Sequence, residues 1–105
     1  MTINIPARLR NDPAFSSIVR GYLNDAPAQM AEMRRAIGHN DAEALSIAAY
    51  TLAGNSGMLH ASSLVERCRR LEQLARIGDF HGCAAQLPEV EAAVQGTMGC
   101  LRQYT

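Results

Sequence analysis

The chain has 105 residues, and its ten basic and ten acidic residues give a formal net charge of zero. This length suits a single domain spanning residues 1–105, and the balanced charge disfavours a nucleic-acid partner, because tracking a phosphate backbone needs a basic surface. No apolar run is long enough for a signal peptide or a membrane span, so we expect a cytoplasmic protein without membrane contact.

Apolar residues recur at spacings of three and four along most of the chain, which predicts four long helices after a short N-terminal segment. Ile3, Ile5 and Leu9 predict that this segment is a short helix or an arm covering one end of the fold. Asp12-Pro13 is typical of a helix start, since Asp can cap free backbone N–H groups and Pro suits the first helical position. The first long helix is therefore predicted from Pro13 to about Ile37.

Turn signals separate the remaining helices. Residues 38–41 (Gly-His-Asn-Asp) end the first helix and begin the second, which is predicted from Ala42 to about Gly57. Ser63 and Glu66 have the spacing of a capping box and predict the start of the third helix, and residues 78–79 (Gly-Asp) predict the next turn. Short connections favour antiparallel neighbours, so the predicted fold is an all-α, antiparallel up-and-down four-helix bundle. The predicted core positions are Phe15, Val19, Tyr22, Ala26, Met30, Met33, Ile37, Leu45, Ala48 or Ala49, Leu52, Leu59, Leu64, Cys68, Leu71, Ala75, Cys83, Leu87, Val90, Val94, Met98 and Leu101.

Cys68, Cys83 and Cys100 are odd in number, widely spaced and surrounded by apolar helical residues. This pattern predicts unpaired thiols packed in a core rather than a disulfide framework or a metal site. We therefore expect no metal and no cofactor.

Residues 49–61 read A-Y-T-L-A-G-N-S-G-M-L-H-A. This segment resembles the signature of histidine-containing phosphotransfer (HPt) domains, which usually reads A-H-x-L-K-G-x-x-G-x-L-G-A. The similarity extends over residues 12–103: Tyr22-Leu23, Pro27 and Met30 resemble the family's F-L-x-x-x-P-x-x-L stretch, and the turn at 78–79 also matches. The resemblance implies a helical bundle that acts in a two-component phosphorelay, with a receiver domain of a response regulator or a hybrid histidine kinase as its partner.

Two departures from the family pattern concern its chemistry. Tyr50 stands at the position of the phospho-accepting histidine, and Ala53 stands at the position of the neighbouring lysine. A neutral imidazole offers a nucleophilic lone pair, whereas a phenol is almost entirely protonated at neutral pH without an activating base. The sequence therefore predicts no catalytic residue and a non-enzymatic, pseudo-phosphotransfer protein. A third departure, His60 at a family glycine, has no evident consequence in the sequence.

The sequence still predicts the helix surface through which the family would dock a receiver domain. On a helix with Leu45 and Leu52 turned inward, the opposite side carries Tyr50, and the resemblance implies that Gly54 leaves room above the acceptor position. An uncharged strip centred on an aromatic residue is a reasonable protein-binding site. The predicted partner-binding residues are Ile47, Tyr50, Ala53, Gly54 and Gly57, all expected to face solvent.

Two alternatives remain open. The protein could relay phosphate through an unconventional acceptor, namely His60, His81 or Tyr50 itself. It could instead be a helical adaptor whose partner lies outside two-component signalling.

Overall fold

The fold was analysed in a computed structural model that describes residues 5–104. Within that range the chain forms four α-helices and no strand: α1 (Pro13–Gly38), α2 (Ala42–Met58), α3 (Ser62–Arg76) and α4 (Phe80–Leu101). Short 3₁₀ helices, Ala7–Leu9 and Arg102–Tyr104, flank them. Each helix packs on the next and α4 packs back on α1, which closes the predicted four-helix bundle; its longest dimension is 42 Å.

The core lies along the bundle axis, where the apolar stripes of the four helices meet. Every predicted core position is buried except Ile37 and Leu87, which are half-buried. Ala36 takes the inward position at the end of α1 in place of Ile37. Ile5 is buried with the core and Leu9 is half-buried against it, in agreement with the predicted N-terminal arm, whereas Ile3 lies outside the described residues.

The three links between helices share one construction. The middle residue of each link has a left-handed backbone, which turns the chain so that the following N–H reaches a carbonyl in the last turn of the preceding helix, as in the Schellman motif. The residues in this conformation are Asn40 (φ 52°), His60 (φ 60°) and Gly78 (φ 74°). Because each link is only three residues long, consecutive helices must run antiparallel.

Two of the links also cap the helix that follows. Asp41 accepts a hydrogen bond from the Ala44 N–H at 3.1 Å, and Asp79 accepts one from the Gly82 N–H at 2.8 Å. The third link has no such cap, because α3 begins after Ala61, whose methyl group is buried. The capping-box prediction at Ser63 and Glu66 was therefore wrong: the N-cap is Ala61, two residues earlier, and Ser63 lies inside α3.

One buried polar contact joins α1 to α2. The Tyr22 hydroxyl lies 3.0 Å from Ser56 Oγ, and either oxygen could be the donor. Both side chains are buried, and each oxygen has the other as a partner, so neither incurs the free-energy cost of an unsatisfied buried hydroxyl. The pair fixes the rotation of α2 against α1 in the half of α2 that follows Tyr50.

Stability should fall in alkaline solution, because two buried side chains resist ionisation. Burial raises the pKa of Tyr22 to about 12 and that of the Cys68 thiol to about 12. In the unfolded chain these groups ionise near pH 10.0 and 9.0, so above those values the unfolded state binds fewer protons than the folded state. The free energy of unfolding should therefore be constant to about pH 8, then fall by up to roughly 1.4 kcal/mol per pH unit for each group until the folded pKa is passed.

Urea unfolding at intervals from pH 7 to 11 would measure this loss. Tyr22→Phe should remove the part that begins near pH 10, and Cys68→Ala should reduce the part that begins near pH 9. A free energy of unfolding that stays level from pH 8 to 11 would contradict the prediction.

Candidate functional site

The outer face of α2 is unusually apolar for a helix surface. Tyr50 is 67% exposed, Ile47 59% and Met58 57%. The only charged residue within α2 is Glu43, in its first turn. Since the opposite face of the helix fills the core, α2 is apolar on both sides, and its outer face is the kind of surface that marks a protein-binding site.

The structure tests the predicted strip residue by residue. Ile47, Tyr50, Gly54 and Gly57 are exposed, as predicted, whereas Ala53 is only 7% exposed. The prediction that Ala53 faces solvent was therefore wrong. Ala53 lies one turn before Gly57, whose Cβ position faces Val65 of α3, so it is on the side of α2 turned toward α3 and its small side chain belongs to the core.

Gly54 lies one turn after Tyr50 and has an open surface. A Cβ atom placed on Gly54 would meet nothing within 4 Å, so the packing of the bundle itself does not require glycine there. Gly57 differs, because a Cβ atom on it would lie 3.8 Å from Val65 Cγ2 of α3. The space above Gly54 is therefore open to an approaching partner.

Two shallow depressions flank the exposed face of α2. The first, between α1 and α2, has a volume of about 160 Å³ and is lined by Ile18, Gly21, Tyr22, Asp25, Asn55 and Met58. The second, between α2 and α3, measures about 300 Å³ and is lined by Ser46, Ile47, Tyr50, Glu72 and Arg76. Sequence reasoning missed Met58 and Ile18, although Met58 follows Tyr50 by eight residues and so shares its side of the helix.

Tyr50 has no histidine on its own helix. Of the three histidines, none lies within residues 42–58. On the neighbouring helix, Arg76 is paired with Glu72 at 2.9 Å beside the Tyr50 depression. The site therefore presents an aromatic anchor with a charged rim rather than a nucleophile with a base.

The two alternative acceptors lie away from this site. His60 occupies the link at the end of α2, and His81 lies in the first turn of α4. In an antiparallel bundle these positions are at opposite ends, whereas Tyr50 lies at the middle of α2. Both histidines are exposed. The structure therefore does not bring either of them into the Tyr50 site.

His60 adopts a backbone conformation that glycine prefers. With φ at 60° it occupies the left-handed region, where a Cβ atom costs roughly 1 kcal/mol. His60→Gly should therefore raise the free energy of unfolding by up to about 1 kcal/mol, measured by urea denaturation. The matched change Asn40→Gly should give a smaller gain, because Asn tolerates this region better than most residues. A loss of stability in the His60 variant would contradict the prediction.

The cysteines form no disulfide: Cys68 and Cys83 are buried, as predicted, and Cys100 is half-buried. Within residues 5–104 no group of three or more His, Cys, Asp or Glu side chains could hold a metal ion. In the same range, no helix combines the length and the hydropathy needed to cross a membrane.

The fold and the exposed middle of α2 define a class of protein: a four-helix bundle that presents an apolar face of its second helix to solvent. The family model for the Hpt domain matches residues 17–98, which is most of the chain. The chain therefore belongs to the Hpt domain family, and this membership supports a role in two-component phosphotransfer signalling.

A solved structure gives the same fold. The chain is similar to histidine-containing phosphotransfer protein B (HptB) from Pseudomonas aeruginosa PAO1, with a TM-score of 0.85 and 20% sequence identity, over 94% of this chain and 91% of that one. At this identity the likeness concerns the fold. No curated protein gives a significant match.

Proposed function

We propose that this protein is a pseudo-phosphotransfer domain. It binds a receiver domain, on a response regulator or a hybrid histidine kinase in the cytoplasm, and modulates it without accepting phosphate. The observation that carries the proposal is the two-thirds exposure of Tyr50, the residue that stands in place of the acceptor histidine in the segment resembling the family signature.

The chemistry of the site supports the absence of transfer. Phosphoryl transfer depends on a nucleophile held in line and on positive charge that stabilises the transferring oxygens. Tyr50 supplies a phenol with no histidine on its helix, and Ala53 supplies no charge. A tyrosine phosphate ester would also have a much lower transfer potential than a phosphoimidazole, so a relay through this position would stop there.

The shape of the site supports retained docking. Tyr50 and Ile47 offer apolar surface, and the open space above Gly54 lets a partner approach the helix closely. Large aromatic side chains at the centre of an interface often contribute most of its affinity. By occupying the receiver's docking surface, the protein would compete with a phosphate-carrying domain or hold the receiver in a complex.

The test combines binding with labelling. Purified protein should bind a cognate unphosphorylated receiver, measured by calorimetry, and should stay unlabelled when mixed with ³²P-phosphorylated receiver. Tyr50→Ala should weaken binding at least about tenfold, since it removes the proposed anchor. The matched variant Tyr104→Ala, which removes a tyrosine outside the outer face of α2, should bind as the native protein does.

Any label that does appear would identify its acceptor by its stability. Phosphohistidine is labile in acid and phosphotyrosine is not, so acid treatment would separate transfer through His60 or His81 from transfer through Tyr50. Acid-labile label formed at a physiological rate would overturn the proposal. Failure to bind any receiver of the source organism would point to a helical adaptor with a different partner.

A further inference from the structure

The register of α2 against α3 follows from two contacts. Tyr50 and Glu72 line the same depression. Seven residues further along α2, Gly57 lies against Val65, which is seven residues earlier on α3. The two helices are antiparallel, and the two pairs are separated by the same number of residues on each helix. A position of α2 between these pairs therefore lies level with the residue of α3 that is equally far from the Tyr50–Glu72 pair.

This register places Arg69 of α3 level with Ala53 of α2. The residues at 65, 69, 72 and 76 recur at spacings of four, three and four, so they form one stripe on the side of α3 that faces α2. Arg69 is exposed, and Ala53 is too small to fill the space outside it. The guanidinium group of Arg69 can therefore extend over the place where a longer side chain at 53 would project.

Arg69 also differs in its pairing from Arg67 and Arg76 on the same helix. Arg76 is bound to Glu72 at 2.9 Å, and Arg67 is bound to Glu89 of α4 at 3.4 Å. Arg69 has no ion-pair partner among residues 5–104. It is therefore the arginine next to the Tyr50 face whose charge is available to a second molecule.

The charged residues of the bundle are distributed unevenly between α3 and α4. Helix α3, which borders the Tyr50 face, has four arginines and two glutamates. Helix α4, diagonally opposite α2, has two glutamates and no arginine. Of the four arginines, Arg67 pairs with Glu89 of α4 and Arg76 with Glu72, so Arg69 is the positive charge beside the α2 face that a complementary group on a partner would meet.

We infer that Arg69 is a specificity-determining residue of the docking face, and that it pairs with a carboxylate on an acidic partner surface beside the point that receives Tyr50. The positive charge missing from position 53 is supplied in this chain by the adjacent helix, where it serves recognition. An arginine fork suits this task because it can bind a carboxylate through two parallel hydrogen bonds. This inference rests on the proposed function, because it describes the partner of the same face.

The experiment measures binding of an unphosphorylated cognate receiver to three forms of the full chain. Arg69→Glu should weaken binding at least about tenfold and should flatten its dependence on salt between 50 and 300 mM NaCl. Arg70→Glu is the matched control. It makes the same charge change one residue later, but Arg70 lines the groove between α3 and α4 with Gln86 and Glu89, so binding should stay within about twofold of native.

A charge exchange completes the test. Lysine substitutions at acidic residues of the receiver should weaken binding to the native chain, and at least one should restore binding to the Arg69→Glu variant. If the native chain binds but the Arg69 and Arg70 variants behave alike, the inference is wrong while the proposed function stands. If the native chain binds no receiver, the proposed function itself fails. Thermal unfolding of each variant would show that the exposed substitutions leave the bundle intact.

Discussion

Replacing Tyr50 with histidine and Ala53 with lysine should convert the protein into a phosphoryl acceptor. The bundle already has the family fold, and Tyr50, which replaces the acceptor histidine in the segment resembling the family signature, is two-thirds exposed at the middle of α2. The double variant should become labelled by a ³²P-phosphorylated receiver under conditions in which the native chain stays unlabelled. Gel autoradiography with acid treatment would measure this gain, because the new phosphohistidine should be labile.

The single variants separate the two missing contributions. Tyr50→His alone should be labelled roughly a hundredfold more slowly than the double variant, because one stabilising charge is absent from the transition state. Ala53→Lys alone should remain unlabelled. Since Ala53 is 7% exposed, the lysine stem has to displace the side chains that cover this position, and this rearrangement should offset part of its benefit. If the double variant binds a receiver but takes no phosphate, the acceptor position is no longer correctly presented.

The helices and the core were predictable because they follow from repeating patterns. Apolar residues at spacings of three and four identify the buried stripe of each helix, and Asp12, Asp41 and Asp79 mark where three of the helices begin. The outcome at Ile37 shows the limit of this reasoning. A helical wheel does not resolve which of two adjacent residues points inward at a helix end, and Ala36 is the buried one.

The details of the site depended on tertiary packing that the sequence does not encode locally. A wheel centred on Tyr50 puts Ala53 on the outer side, but α3 approaches α2 from that direction and covers it. Met58 was overlooked because it lies at the end of the helix, yet it extends the exposed face. The left-handed conformation of His60 became evident only from the link geometry, although the glycine at this position of the family pattern was a signal for it.

Gly54→Leu should abolish receiver binding without harming the fold. A side chain at this position meets nothing within 4 Å in the isolated bundle, and exchanging a helix-interior glycine for leucine should raise the free energy of unfolding by about 0.5–1 kcal/mol. In a complex, the new side chain would project into the space beside Tyr50 that the partner needs. The affinity should fall at least about a hundredfold, measured by calorimetry against the same receiver.

Gly99→Leu provides the comparison, because Gly99 is exposed on α4, diagonally across the bundle, and a Cβ atom there also meets nothing within 4 Å. It should give a similar gain in stability with unchanged affinity. If Gly54→Leu alone raises stability but weakens binding, the open space above Gly54 is a place of partner contact. A glycine with a purely structural role would change stability and affinity in the same direction. Equal affinities for the two leucine variants would instead mean that no partner approaches α2 at this point.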